Sequence, residues 1–208
     1  VSLAEMWELL VFVALVVVPV LASIKQVPAR LRDLRAGIRG VVYVPVVLTV
    51  LFTVAAAALV LAEYVPPLQW GWLGTNVVVA PLADLAPAPE GAPGGTGAGS
   101  GGTFLGPTLT LALFLPFILL AFLVFNWYEE AYYRGSLRDV GIWAVLHLVM
   151  GIPIFAVIPI FAAGLVYKWI YDRRGLRAAY TAHLGTNVAL LSVLVLTIVL
   201  APTGTGAV

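Results

Sequence analysis

The chain has 208 residues, of which 62% are hydrophobic and only 10% are charged. An average soluble domain carries about 25% charged residues, so this composition excludes one and points to a membrane protein. Eleven Lys and Arg nearly balance ten Asp and Glu, and the absence of cysteine excludes disulfides, thiolate metal ligands and thiol nucleophiles.

A helix needs about 20 apolar residues to cross the hydrocarbon core. Residues 6–24, 41–62, 104–127 and 178–201 meet that length. The first run has no basic n-region and no clear A-x-A site, so it reads as a retained helix and not a signal peptide. Residues 64–83, with Pro66, Pro67, Trp70 and Trp72, read as a segment lying along the outer interface. Residues 84–103 differ in kind: seven of the twelve positions from 91 to 102 are glycine. Too few large apolar groups stand there to offset chain entropy, which predicts a flexible external loop. This loop divides a front segment, 1–83, with two membrane helices, from a motif-bearing membrane core, 104–201. Residues 140–171 are apolar but hold Gly151 and Pro153 in the middle. They are expected to form a hairpin of two shorter helices, roughly 140–150 and 153–171, joined at the Gly-Ile-Pro. The alternative is one long helix kinked at Pro153 or Pro159. The expected fold is all-α: a polytopic membrane helix bundle of about six helical segments. No repeat of 20–50 residues is evident.

All Lys and Arg residues fall in three places: Lys25 to Arg39, Arg134 with Arg138, and Lys168 to Arg177. The positive-inside rule puts these segments in the cytoplasm and the N-terminus outside. That arrangement requires 140–171 to return to its starting side, which favours the hairpin. Trp127, Tyr128, Tyr132, Tyr133, Tyr167, Trp169 and Tyr171 fit an inner aromatic belt, and Tyr64, Trp70 and Trp72 an outer one. The expected location is the cell membrane, with several passes.

Ionisable groups at membrane depth are costly and usually mark function. Three clusters stand out: Glu129-Glu130 with Arg134, His147 four residues after Trp143, and His183 four residues before Asn187. Each falls in the cytoplasmic third of the bilayer, on a different helix. A carboxylate beside an imidazole can hold and deprotonate a water. His183 and Asn187 share one helix face at i,i+4 and offer N–H donors suited to an oxyanion hole. Arg134 at i+4 from Glu130 can neutralise one glutamate and leave the other free. Together these are the parts of a water-activating amide hydrolase. Plainer roles exist for each piece: a helix-packing histidine or an Asn187 bridge between helices, a solvated glutamate cap, and arginines that only obey the positive-inside rule.

The order Glu-Glu-x-x-x-Arg, aromatic-x-x-x-His, His-x-x-x-Asn on membrane helices resembles the CPBP (Abi) family, which contains type II CAAX prenyl proteases and bacteriocin-processing or immunity proteins. Tyr128-Glu-Glu-Ala-Tyr-Tyr-Arg-Gly135 is similar to the family's first motif with its trailing glycine. The stretch from Gly164 through Tyr167 to Gly175 resembles the approach to its second histidine. The resemblance covers roughly residues 104–200 and rests on order and context. Trp143 stands where the family has Phe, and only nine positions separate Arg134 from Trp143, fewer than in typical members. The resemblance implies an intramembrane endopeptidase in which Glu129 and His147 hold the attacking water. His183 and Asn187 would stabilise the oxyanion, and Glu130 and Arg134 would support the site. It implies no cofactor, a peptide or protein substrate, lipidated or not, and an active site toward the cytoplasm. The bilayer is the other expected partner, and nucleic acid is not.

Other intramembrane hydrolases fit less well. Gly99-Ser100-Gly101 lies in the glycine-rich loop, away from any membrane helix, where a rhomboid-type serine would be needed. Asp33, Asp84, Asp139 and Asp172 fall in loops or at ends, unlike a presenilin-type pair. The His-Glu-x-x-His of site-2 proteases is absent. Two histidines and a glutamate leave a His₂Glu zinc hydrolase as an alternative. A non-enzymatic reading also stands: a membrane protein that binds a partner, confers immunity, or carries a small solute.

Overall fold

The computed structural model describes residue 7 and residues 10–73, 76–83 and 106–200. Residues 84–103, expected as an external loop, lie outside the described residues. Among those described there is no strand. Four helices are long and apolar enough to cross a membrane: Ile38–Tyr64, Leu109–Tyr132, Ile154–Arg174 and Leu176–Leu200. The chain is an all-α polytopic membrane helix bundle.

Helix α1 (Leu10–Ala22) and the segment Ile24–Ala36 form a bent pair, at 47°, that counts as one broken span or as a re-entrant loop. Pro19 lacks an N–H, and its ring crowds the carbonyl one turn back. The helix widens to a π-turn at Val13–Val17, next to this proline. After the bend, α2 (Val27–Ala36) carries Arg30, Arg32, Asp33 and Arg35. A 3-10 stretch, Ile38–Tyr43, leads into α3 (Val44–Tyr64).

The segment expected to lie along the outer interface instead plugs one end of the bundle. Val77, Val78 and Leu82 are buried with Phe12, Val16 and Ile118 in one core cluster. An apolar trio that can reach the core gains more there than at the interface. The same segment also supplies backbone partners to the hairpin turn: Val77 N–H donates to Met150 O (2.8 Å) and Ile154 N–H to Trp70 O (3.0 Å). Trp72 Nε1 donates to Leu148 O (2.8 Å).

Helix α4 (Gly106–Tyr132) runs past the apolar stretch that ends at 127, and Glu129 and Glu130 lie in its last turn. The hairpin forms as expected. Helix α5 (Leu137–Leu146) tightens to a 3-10 turn over His147–Met150. Together they rise about 23 Å, short of a full crossing. Gly151 then adopts φ 92°, a left-handed conformation open to glycine at little cost. Pro153 continues extended, and α6 (Val157–Arg174) returns the chain. Helix α7 (Leu176–Leu200) closes the bundle.

The three basic segments meet at one end. Asp33 accepts from Arg177 Nε (3.0 Å) and from Trp127 Nε1 (3.1 Å). Arg174 Nε donates to Tyr43 OH (3.2 Å), and Lys168 Nζ to Arg134 O (3.2 Å). The Arg30 guanidinium lies 3.4 Å from the centre of the Trp127 ring.

Candidate active site

The centre of the bundle is built on a buried ion pair. Arg134, two residues beyond the end of α4, folds back onto Glu130, one turn before it. Its Nη2 and Nε donate to the two carboxylate oxygens at 2.6 and 3.1 Å, a two-pronged geometry that suits guanidinium and carboxylate. Both side chains are fully shielded from solvent. The guanidinium stacks over the Trp143 ring at 4.2 Å, so α5 supplies the floor. Close approach of α5 and α6 makes this possible: a Cβ on Gly164 would come within 2.8 Å of Trp143 and Val140.

Glu130 has a second partner. His183 Nδ1 lies 2.8 Å from its Oε1. The ring's other nitrogen, Nε2, is 3.6 Å from Glu129 Oε2. His183 is therefore held between two carboxylates, stacked on Tyr167 at 4.4 Å between ring centres. With Nδ1–H directed at Glu130, Nε2 can donate only in the imidazolium form.

His147 is oriented by its own helix. Its Nδ1 sits 2.9 Å from Trp143 O, and a carbonyl oxygen only accepts. The proton is therefore on Nδ1, and in the neutral ring Nε2 keeps a lone pair. Trp143 packs edge-on against His147 and His183 at 4.7 and 5.5 Å.

Glu129, His147, His183 and Asn187 line one cavity of about 330 Å³. They come from α4, the end of α5, and α7. Glu129 and His147 make no direct ion pair or hydrogen bond with each other; the cavity lies between them. Glu130 and Arg134 stand behind the wall and do not line it. The two adjacent glutamates thus differ: Glu130 is fully paired and buried, while Glu129 keeps a quarter of its side chain exposed. Burial of Glu130 also removes the plainer reading of that residue as a solvated cap. Most of the remaining lining is apolar, including Leu51, Phe122, Phe125 and Leu191, and Val78 and Val79 belong to the plugging segment.

The four residues expected at the site share the cavity, but His183 and Asn187 do not act as a bare pair of donors. His183 is tied to the glutamates, and Asn187 Nδ2 donates to Asn126 Oδ1 at 3.1 Å. Asn126 was not singled out by sequence reasoning. The available signal was a lone amide inside the apolar run 104–127, one turn before Glu129-Glu130. Asn76 and Thr186 also line the cavity and carried no sequence signal. Tyr167 was read as part of an interfacial belt. It is only 2% exposed and belongs to the core around Trp143 and Ala163, because its ring covers the flat face of His183.

Among the described residues, no three His, Asp or Glu side chains group as metal ligands would. Comparison with known proteins gives no match to a family model, a curated protein or a solved structure.

Proposed function

We propose that the chain is an intramembrane endopeptidase of the glutamate type, similar in its site to the CPBP family, and that it needs no metal. The supporting observation is that Glu129, His147, His183 and Asn187 face one cavity while Arg134 neutralises the neighbouring Glu130. Water held between Glu129 and His147 Nε2 attacks the scissile carbonyl, and Glu129 takes its proton. Amide donors at the cavity wall hold the oxygen that becomes negative. When the C–N bond breaks, the proton passes to the leaving amine. The basic end of the bundle marks the cytoplasmic side, and peptides enter from there. The apolar remainder of the cavity suits a hydrophobic or lipidated segment. A solute pathway would need ionisable groups toward both ends, and here Glu129, Glu130 and His183 stand together.

The test is cleavage of membrane peptides, with and without a lipidated cysteine, by purified protein in proteoliposomes. Glu129→Gln keeps the shape and loses the base, so turnover should be abolished. Full activity in Glu129→Gln ends this reading. Activity lost to strong chelators and restored by zinc would replace it with a zinc hydrolase that uses Glu129, His147 and His183.

A further inference from the structure

Asn126 brings to the cavity wall an amide whose donor the fold itself leaves unpaired. The residue is 2% exposed and lines the cavity. Its Oδ1 accepts from Asn187 Nδ2, which fixes the plane of the amide. Its Nδ2 is buried and has no hydrogen-bond partner. An unmade buried donor costs about 1–3 kcal/mol, and such groups are rare in native interiors. Trp143 Nε1, on another wall of the same cavity, is also buried without a partner. Both Glu130 oxygens face Arg134, Trp143 O faces His147, and no side chain of the cavity wall bonds Asn126 Nδ2. A carbonyl oxygen entering the cavity is an acceptor of the kind this amide needs.

The lining says which acceptor. Leu51, Phe122 and Phe125 are apolar, and Glu129 carries a carboxylate that repels anions. A phosphate or carboxylate would pay a large desolvation penalty there, whereas a neutral amide carbonyl pays far less. We propose that Asn126 Nδ2–H donates to the scissile carbonyl oxygen, with Asn187 the positioning residue that orients it. This deepens the endopeptidase reading and rests on it. As the water oxygen bonds to the carbonyl carbon, its proton goes to Glu129 and the C=O electron pair moves to the oxygen. Asn126 holds that oxygen more strongly as charge builds. Collapse breaks the C–N bond, and the proton on Glu129 leaves with the amine.

The test uses the full chain in proteoliposomes, with the same peptides, and a peptide aldehyde whose tetrahedral hydrate mimics the intermediate. Asn126→Leu, close in shape but without a donor, should lower kcat by about 10²–10³ and leave KM within about threefold, because the bond strengthens only in the transition state. Aldehyde affinity should fall with kcat. Asn126→Ala serves if the leucine variant does not fold, as judged by tryptophan fluorescence on heating. A wild-type measurement needs no variant: with isotope-labelled asparagine, the Asn126 side-chain amide proton should move downfield when the aldehyde binds. An unmoved Asn126 signal, or normal kcat in a folded Asn126 variant while Glu129→Gln is dead, overturns the role of Asn126 alone. Activity in Glu129→Gln, or a wild type that neither cleaves the panel nor binds the aldehyde, overturns the endopeptidase reading as well.

Discussion

Neutralising either of two adjacent glutamates should have opposite consequences for fold and chemistry. Glu130→Gln removes the charge that Arg134 faces through two bonds at 2.6 and 3.1 Å and that His183 faces at 2.8 Å. Arg134 is then a buried cation without its counter-charge, since both side chains are fully shielded. Breaking a buried pair by removing one partner costs about 3–5 kcal/mol. Glu129 makes one longer contact, 3.6 Å to His183, and is partly exposed. A pair of that kind contributes about 0–1 kcal/mol, so Glu129→Gln should leave stability almost unchanged. Six tryptophans allow both variants to be followed by intrinsic fluorescence during heating in detergent. Glu130→Gln should melt well below the parent chain. Glu129→Gln should melt beside it and, assayed below either transition, show no turnover. Equal melting of Glu130→Gln and the parent chain would refute the claim that the Arg134–Glu130–His183 chain organises the core. Equal destabilisation by the two changes would refute the division of roles between the glutamates.

Two further outcomes are expected. Gly164→Ala places a Cβ 2.8 Å from Trp143 and Val140 side-chain atoms. Overpacking of this kind costs about 1–3 kcal/mol, and cleavage should fall with it because Trp143 supports both His147 and Arg134. Unchanged melting and activity would mean that α5 and α6 are not in this close register. The chain has no native cysteine, so single cysteines report sidedness directly. Tyr64→Cys should react with an impermeant maleimide only from outside, and Arg138→Cys and Arg174→Cys only from the cytoplasmic face of inverted vesicles. Reaction of Tyr64→Cys and Arg174→Cys from the same face would refute the orientation.

The parts of the fold that sequence revealed are those where one dominant force acts locally. Long apolar runs show the spans of α3, α4 and α7, and Gly151 with Pro153 shows the hairpin, because φ 92° and a missing N–H are local demands. Other features depended on partners distant in sequence. The helical state of Glu129 and Glu130 could not be read from hydropathy, since the charges end the apolar run. Burial becomes tolerable only because Arg134 folds back and His183, 53 positions away, approaches. Val77 to Leu82 looked interfacial because nothing local says that the hairpin turn needs its carbonyls met at Met150 and Leu148. In the site, helical spacing grouped Glu130 with Arg134 and His183 with Asn187, and the family resemblance pointed to Glu129 with His147, whereas the bond between Asn126 and Asn187 joins two helices whose register no spacing reports.

The nine-position link between Arg134 and Trp143 shows how a short connection can still serve this site. The chain turns at once after α4. Ser136 caps α5, its Oγ accepting from Asp139 N–H at 3.2 Å, so helix resumes at Leu137 without a longer excursion. Seven residues into the new helix, Trp143 lies under the Arg134 guanidinium. One arginine thereby fixes both clusters: its charge holds Glu130, and its flat face receives the indole of Trp143, whose backbone carbonyl orients His147. A longer link would leave the register of α5 to packing alone. Here the ion pair sets it, which brings His147 to the cavity wall shared with Glu129 while Glu130 stays behind it. Glu130 and Arg134 therefore act through placement: they hold the end of α4 and Trp143 of α5 in one frame, and His183, bonded to the same carboxylate, adds α7.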